Sequence, residues 1–211
     1  MPTRAIVFDF NGTLSDDEPI LYAVYAELFA EHGRPLTEQQ YLDELAGETE
    51  EEIVRRWLGH VDEHLIEERI ARYIARASDG STVTDGVRAA VAHAAEHVPV
   101  GVVSAATRAE IEPVLAAAGI SVAALVTADD VEHGKPDPEP YERVAALLDI
   151  PARDIVVFED TEAGVASAKA AGAYVVALTR TLDATRLAAA DEHVAGIDVD
   201  LIARCLGRGH G

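Results

Sequence analysis

Residues 5–19 read AIVFDFNGTLSDDEP. An uninterrupted apolar run, 5–8, meets Asp9, and the chain then breaks into the turn-forming Asn11-Gly12-Thr13. A short run apolar on both faces is the pattern of a parallel strand covered on both sides. A carboxylate at its carboxyl end sits where open α/β sheets bind ligands. Runs of the same kind predict strands over 98–103 (VPVGVV), 123–127, 155–158 (IVVF) and 174–178 (YVVAL). Helices are expected between them over 86–96, 108–118, 140–148 and 163–171, with Gly119 and Gly172 closing two of these. Strand–helix alternation predicts an α/β fold: a Rossmann-like three-layer core around a parallel sheet with right-handed crossovers.

Alternation fails between residues 16 and 81, where every segment reads as helix. PILYAVYAELFAEHG is amphipathic; LTEQQYLDELAG has Thr37 as a candidate cap; TEEEIVRRWLG opens with Thr49 and Glu52 in capping-box spacing; HLIEERIARYIARAS follows. Insertions at loop tips are well tolerated. The expected organisation is therefore a core of residues 1–15 and 82–211, with an all-α cap, 16–81, inserted just beyond the first strand. A helical insert there forms a lid over the ligand crevice.

Composition narrows the function. A formal charge of −21 disfavours nucleic acid and anionic membranes as partners. No apolar run is long enough to span a bilayer, and the first strand starts too near residue 1 to leave room for a signal peptide; a cytoplasmic protein, monomeric or weakly dimeric, is expected. Cys205 is the only cysteine, which excludes an intrachain disulfide and a cysteine-based metal cluster. The eight histidines show no metal-binding spacing. Lysine is nearly absent: only Lys135 and Lys169 occur.

In a parallel sheet the carboxyl ends of the strands share one crevice, and four features converge there. Asp9 is followed by a turn, Gly12-Thr13, whose N–H groups can cradle an anion. Ser104 ends GVVS, and its hydroxyl with the N–H groups after it, from Ala105 to Arg108, can hold phosphate oxygens. Lys135 lies in the rigid turn GKPDPEPY and suits neutralisation of a phosphoryl group. Glu159 and Asp160 directly follow a buried strand, where an acidic pair can hold Mg²⁺. Each feature has a plain structural alternative: a strand-end Asp, a helix-capping Ser, a solvated Lys, acids favoured at a helix N-terminus. Together they form a device. Asp9 is the nucleophile, Mg²⁺ lies between Asp9, the carbonyl of Asn11 and Asp160, and Lys135 with Ser104 and the turn amides holds the transferring phosphoryl group, through an aspartyl-phosphate.

These motifs resemble those of the haloacid dehalogenase superfamily along essentially the whole chain. The family's Asp-x-Asp-Gly-Thr is DFNGT here, its strand-end Ser or Thr is Ser104, its Lys is Lys135, and its acidic pair is in EDTEAG. The helical insert, with DDEP at 16–19 in place of Asp-Ser-Glu-Pro, is similar to the cap of the β-phosphoglucomutase-like and phosphoglycolate-phosphatase-like branch. The resemblance implies a Mg²⁺-dependent hydrolase of a small phosphorylated metabolite.

Asn11 departs from the pattern. Family phosphatases carry there an Asp that protonates the leaving oxygen and then activates water, and an amide does neither. Either Asp16 or Asp17 supplies the proton, or the protein is not built for fast turnover, or the amide is a deliberate change that traps a complex. Three other functions stay open. A 2-haloacid dehalogenase would use Asp9 on carbon and need no such acid, but also no metal pair. A β-phosphoglucomutase-like activity is disfavoured by Leu21 where a cap histidine stands and by Ala46 where a lysine stands. A catalytically weakened ligand-binding or protein-interaction role leaves the retained Asp9, Lys135, Glu159 and Asp160 unexplained. The cap-loop acids Glu48, Glu50 and Glu51 either face the substrate, favouring hydroxyls or an amine over a second phosphate, or simply cap and solubilise a helix. Trp57 is expected in cap packing, and Arg108 either touches substrate or lies on a helix surface.

Overall fold

The structure, a computed structural model, describes residues 3–208. Five buried runs and one unforeseen segment form a six-stranded parallel sheet: β1 (Ala5–Asp9), β2 (Val100–Val103), β3 (Ala124–Val126), β4 (Ile155–Glu159), β5 (Tyr174–Leu178) and β6 (Glu192–Val194), in the order β3-β2-β1-β4-β5-β6. Strand side chains alternate between two cores. Ile6, Phe8, Val102, Val156 and Phe158 point to one face, and Ala5, Val7, Val103, Ile155 and Val157 to the other. Phe8 and Phe158 stack across adjacent strands with ring centroids 5.0 Å apart. Helices α5 (Asp85–Ala95) and α9 (Val199–Leu206) contribute to the first core, and α7 (Glu139–Leu148) and α8 (Glu162–Ala170) to the second. The α6 helix (Arg108–Ala117) also joins the first. Gly101 lets α7 approach β2 closely: a Cβ there would lie 2.9 Å from Val144 Cγ2.

The strand expected from residue 98 begins at Val100, because Val98 N–H is spent closing α5 on Ala94 O. The edge strand β6, Glu-His-Val, has no apolar run to announce it; pairing with β5 makes it a strand.

Between β1 and α5 lie four helices: α1 (Glu18–Glu31), α2 (Glu38–Glu44), α3 (Glu50–Leu58) and α4 (Glu63–Ala77). They form the cap. Thr37 and Thr49 each close a capping box, with Gln40 and Glu52. Trp57 stacks on Phe29 at 6.1 Å and donates its indole N–H to Arg34 O, so it packs within the cap. Arg69 of α4, fully buried, pairs with Glu50 of α3 and, at 2.5 Å, with Glu110 of α6, tying cap to core. No helix among the described residues is long and apolar enough to cross a membrane.

Candidate active site

Three strand ends and one loop meet at the carboxyl edge of the sheet. β1 ends in Asp9, β2 leads into Ser104, β4 ends at Glu159 with Asp160 next, and the loop between β3 and α7 carries Lys135. Lys135 Nζ donates to Asp9 Oδ1 and Glu159 Oε1, each at 2.5 Å. Burial works against its charge, and the two carboxylates outweigh it, so its pKa stays above the ordinary lysine value. Glu159 is used up by protein donors: besides Lys135 it accepts from Tyr141 Oη at 2.6 Å, Asp160 N at 3.0 Å and Thr161 N at 3.3 Å. It holds the lysine. Gly164 makes room for it, since a Cβ there would fall 1.9 Å from Glu159 Oε1.

Asp9, Glu159 and Asp160 bring carboxylate oxygens within 4.8 Å of one another, all buried. Three acids face one ammonium. Burial first, with Glu159 and Asp160 adding and Lys135 opposing, raises the Asp9 carboxyl well above its usual range. Burial and then Glu159 do the same to Asp160. Such a cluster of hard oxygen donors, short of positive charge, fits a divalent cation. Glu159, taken by Tyr141 and the amides of Asp160 and Thr161 as well as by Lys135, is the least free of the three, so Asp9 and Asp160 are the better placed to hold the cation. Asp160 is oriented by Thr13 Oγ1 at 3.2 Å and Thr181 Oγ1 at 2.5 Å. Gly12, at φ +72°, passes so close that a Cβ would lie 2.0 Å from Asp160 Oδ2.

Asn11 is held from both ends of its amide. Nδ2 donates to Asp17 Oδ2 at 2.9 Å, and Oδ1 accepts from Ser104 Oγ at 3.2 Å. Asp17, fully buried, also accepts from Gly12 N at 3.2 Å and Tyr73 Oη at 2.5 Å. Burial pushes its carboxyl up to about 6 against these hydrogen bonds. An amide at residue 11 therefore gives Asp17 a donor, where a carboxylate would have met another carboxylate.

Residues 6–178 match the family model of the haloacid dehalogenase-like hydrolases. The chain belongs to this family. It is 35% identical, over 89% of its length and 91% of the relative's, to validoxylamine A 7'-phosphate phosphatase of Streptomyces hygroscopicus subsp. limoneus. It is 29% identical to hexitol phosphatase A of Escherichia coli K12, with 89% and 88% of the two chains covered. Among solved structures, it superposes with TM-score 0.81 on CbbY from Rhodobacter sphaeroides in complex with phosphate (23% identity, 93% and 95% covered). It superposes with 0.84 on β-phosphoglucomutase from Clostridium difficile (20% identity, 98% and 97% covered).

Not every residue expected at the site of this hydrolase is placed to act there. Ala105 lines the cavity beside Asp9 and Lys135. The amides of Gly12 and Thr13, expected to cradle an anion, turn inward onto Asp17 Oδ1 and Phe10 O. Arg108 is held away by Glu112 at 3.2 Å and Asp130 at 2.6 Å. Of the acids expected to replace the missing proton donor, Asp16 is exposed and 3.7 Å from Arg180, and Asp17 is enclosed behind Asn11. The cap-loop acids are all paired, Glu50 with Arg69, Glu51 with Arg55 at 3.3 Å and Glu48 with Arg56 at 2.9 Å; Glu48 lines the cavity beside Asp9, and Glu50 and Glu51 line the wider groove next to it.

Four contributors carried no usable signal in the sequence. Tyr141, Thr181 and Arg180 lie far along the chain from Asp9; Arg180 donates to the carbonyls of Gly12 and Thr13 at 2.9 and 3.2 Å, fixing the turn. Glu18, in the first turn of α1, lines the Asp9 cavity. DDEP set three acids in a row, and nothing local said which would face inward.

Proposed function

We propose that the chain is a Mg²⁺-dependent phosphomonoesterase of the β-phosphoglucomutase-like branch, acting on sugar or polyol phosphates through an aspartyl-phosphate on Asp9. The observation that carries this is the Asp9–Lys135–Glu159–Asp160 cluster: a buried nucleophile, a fixed ammonium and a cation-deficient acid set at one point. Lys135, locked by Glu159, neutralises charge on the phosphoryl group, and Ser104 with Ala105 borders its far side. Asp9 attacks in line and is regenerated when water releases phosphate. Bound Mg²⁺, held by Asp9 and Asp160 with the carbonyl of Asn11 as a third donor, supplies further charge neutralisation.

Substrate size follows from the space. A cavity of about 60 Å³, lined by Asp9, Asn11, Glu18, Tyr25, Tyr41 and Lys135 among others, suits a phosphoryl group. It shares Ala105 and Lys135 with a groove of about 590 Å³ between α3 and α4 of the cap and the loop before α7. Glu51, Glu63, Glu67 and Glu132 line that groove, and Lys135 is its only basic side chain among the described residues. A leaving group with hydroxyls or an amine fits there, and one with a second phosphate does not. The names of the two phosphatase relatives, for validoxylamine A 7'-phosphate and for hexitol phosphates, agree with this preference. Residues 16–81 serve as the lid in this scheme, with 1–15 and 82–211 as the catalytic core.

The dehalogenase alternative gains nothing from a metal-fitting carboxylate pair. The test is phosphate release from a panel of polyol, amino-sugar and diphosphorylated esters with Mg²⁺. Release is expected from the first two groups, lost in Asp9→Ala and on chelation. Release surviving Asp9→Ala, or diphosphorylated sugars proving best, would overturn the proposal.

A further inference from the structure

Asn11 leaves the hydrolase without the acid that its family places beside the nucleophile, and the three acids that follow it point in three directions. Asp16 faces solvent and Arg180. Asp17 is saturated by Asn11, Gly12 and Tyr73 and lines none of the cavities around the site. Glu18 is different. The residue is half-buried, yet its Oε2 is buried with no hydrogen-bond partner. It borders the same small cavity as Asp9, Asn11 and Lys135, from the first turn of α1. An unpartnered buried carboxyl oxygen costs stability, which is the signature of a group kept for chemistry or ligand contact.

We propose that Glu18 is the general acid and base of this enzyme, doing from the first turn of α1 what the residue at position 11 does elsewhere in the family. The inference rests on the phosphomonoesterase reading above. In the first step an Asp9 oxygen bonds to phosphorus while the ester P–O bond breaks with its electron pair on the leaving oxygen. That oxygen takes the Glu18 proton and departs as the alcohol. Water then bonds to phosphorus and gives its proton to the Glu18 carboxylate as the P–O bond to Asp9 breaks. Phosphate, free Asp9 and protonated Glu18 result.

The surroundings suit the role. Asp17 from the neighbouring position, Asp9 from β1, Asp160 after β4 and Tyr41 from α2 face Glu18, with Lys135 and Arg180 the nearby cations. Burial first, then Asp17, pushes the Glu18 carboxyl up to about 7, against the Tyr41 hydroxyl, which holds it down.

The experiment compares the full chain with Glu18→Gln in Mg²⁺, on a polyol phosphate and on 4-nitrophenyl phosphate, whose leaving group needs no proton. Glu18→Gln is expected to lose about 10²–10⁴-fold on the polyol phosphate. On the aryl ester it gives a stoichiometric burst of nitrophenolate, then stalls with one phosphoryl group on Asp9 visible by mass spectrometry. The pH limb near neutrality disappears. Asn11→Asp with Asp17→Ser, which restores the family's own acid, is expected to rescue the Glu18→Gln enzyme on the polyol ester. Glu18→Gln turning over the polyol ester at the parent rate would overturn the proposal. So would loss on both esters with neither burst nor rescue. If the unmodified chain releases phosphate from no ester, the phosphomonoesterase reading itself has failed, which the parent enzyme alone reveals.

Discussion

Asn11 and Asp17 both depart from the family pattern, and one contact links the two departures. The family sets a carboxylate at the first of these positions and a hydroxyl at the second; here an amide donates at 2.9 Å to a fully buried carboxylate. The two departures from the motif, which the sequence shows as unrelated oddities, are one compensated pair. Asn11→Asp alone would therefore set two carboxylates against each other, each raising the other's pKa. The single variant is expected to lose about 1–3 kcal/mol of stability at pH 8, on the scale of one to two pKa units. The loss shrinks toward pH 5, where one of the pair is protonated. Adding Asp17→Ser is expected to remove it. Urea unfolding at the two pH values checks this, and a single variant as stable as the parent at pH 8 would show that Asp17 does not depend on the amide.

At the scale of elements, the cap is joined to the core by more than its two chain crossings. Arg69, on α4, reaches Glu50 on α3 and Glu110 on α6, and Glu110 in turn caps α6 by accepting from Thr107 N at 3.0 Å. Removing the guanidinium leaves a buried carboxylate unpaired, a change that typically costs about 3–5 kcal/mol. Arg69→Met is expected to unfold at correspondingly lower urea, and Glu110→Gln, which keeps the capping acceptor, to restore much of the loss. If Arg69→Met is neutral, the cap is held by apolar packing alone. The cap loop also touches the site directly, since a Cβ on Gly47 would lie 3.0 Å from Thr161 Cβ. The capping boxes of α2 and α3 were legible because they are local, four residues long. The ion pair was not, because its partners are 19 and 41 positions from Arg69.

The whole molecule concentrates buried acids at one point of a chain carrying −21. Asp17 and Glu18 are raised to about 6 and about 7 from 3.8 and 4.5, and Asp9 and Asp160 are raised as well. Between about pH 4 and pH 7 the folded protein then binds more protons than the unfolded chain, so stability falls as pH rises. For Asp17 alone the effect is on the order of 3 kcal/mol. Without divalent cations the Tm is expected to decline from pH 5 to pH 8. On the proposed reading Mg²⁺ would compete with protons for Asp9 and Asp160, so it is expected to raise the Tm more at pH 8 than at pH 5. A Mg²⁺ shift that is equal at both pH values, or absent, would place the cation elsewhere.

By itself the sequence determined five of the six strands, the helical insert and four of the residues that meet at the crevice. Short runs apolar on both faces have one stable use, as strands covered on both sides, and a polar residue at their carboxyl ends has one place to go. Asp9, Lys135, Glu159 and Asp160 were readable for that reason. Tertiary structure alone decided direction. Asp16, Asp17 and Glu18 are three consecutive acids at a helix entry, and backbone geometry sends them to solvent, to the interior and to the cavity. Their partners, Arg180, Tyr73 and the Asp9 crevice, come from segments distant in the chain. The same holds for the turn amides, which local geometry aimed at an anion and which Asp17 and Phe10 claimed instead. Which oxygen is left without a partner depends on every donor packed around it, and that is a property of the folded molecule.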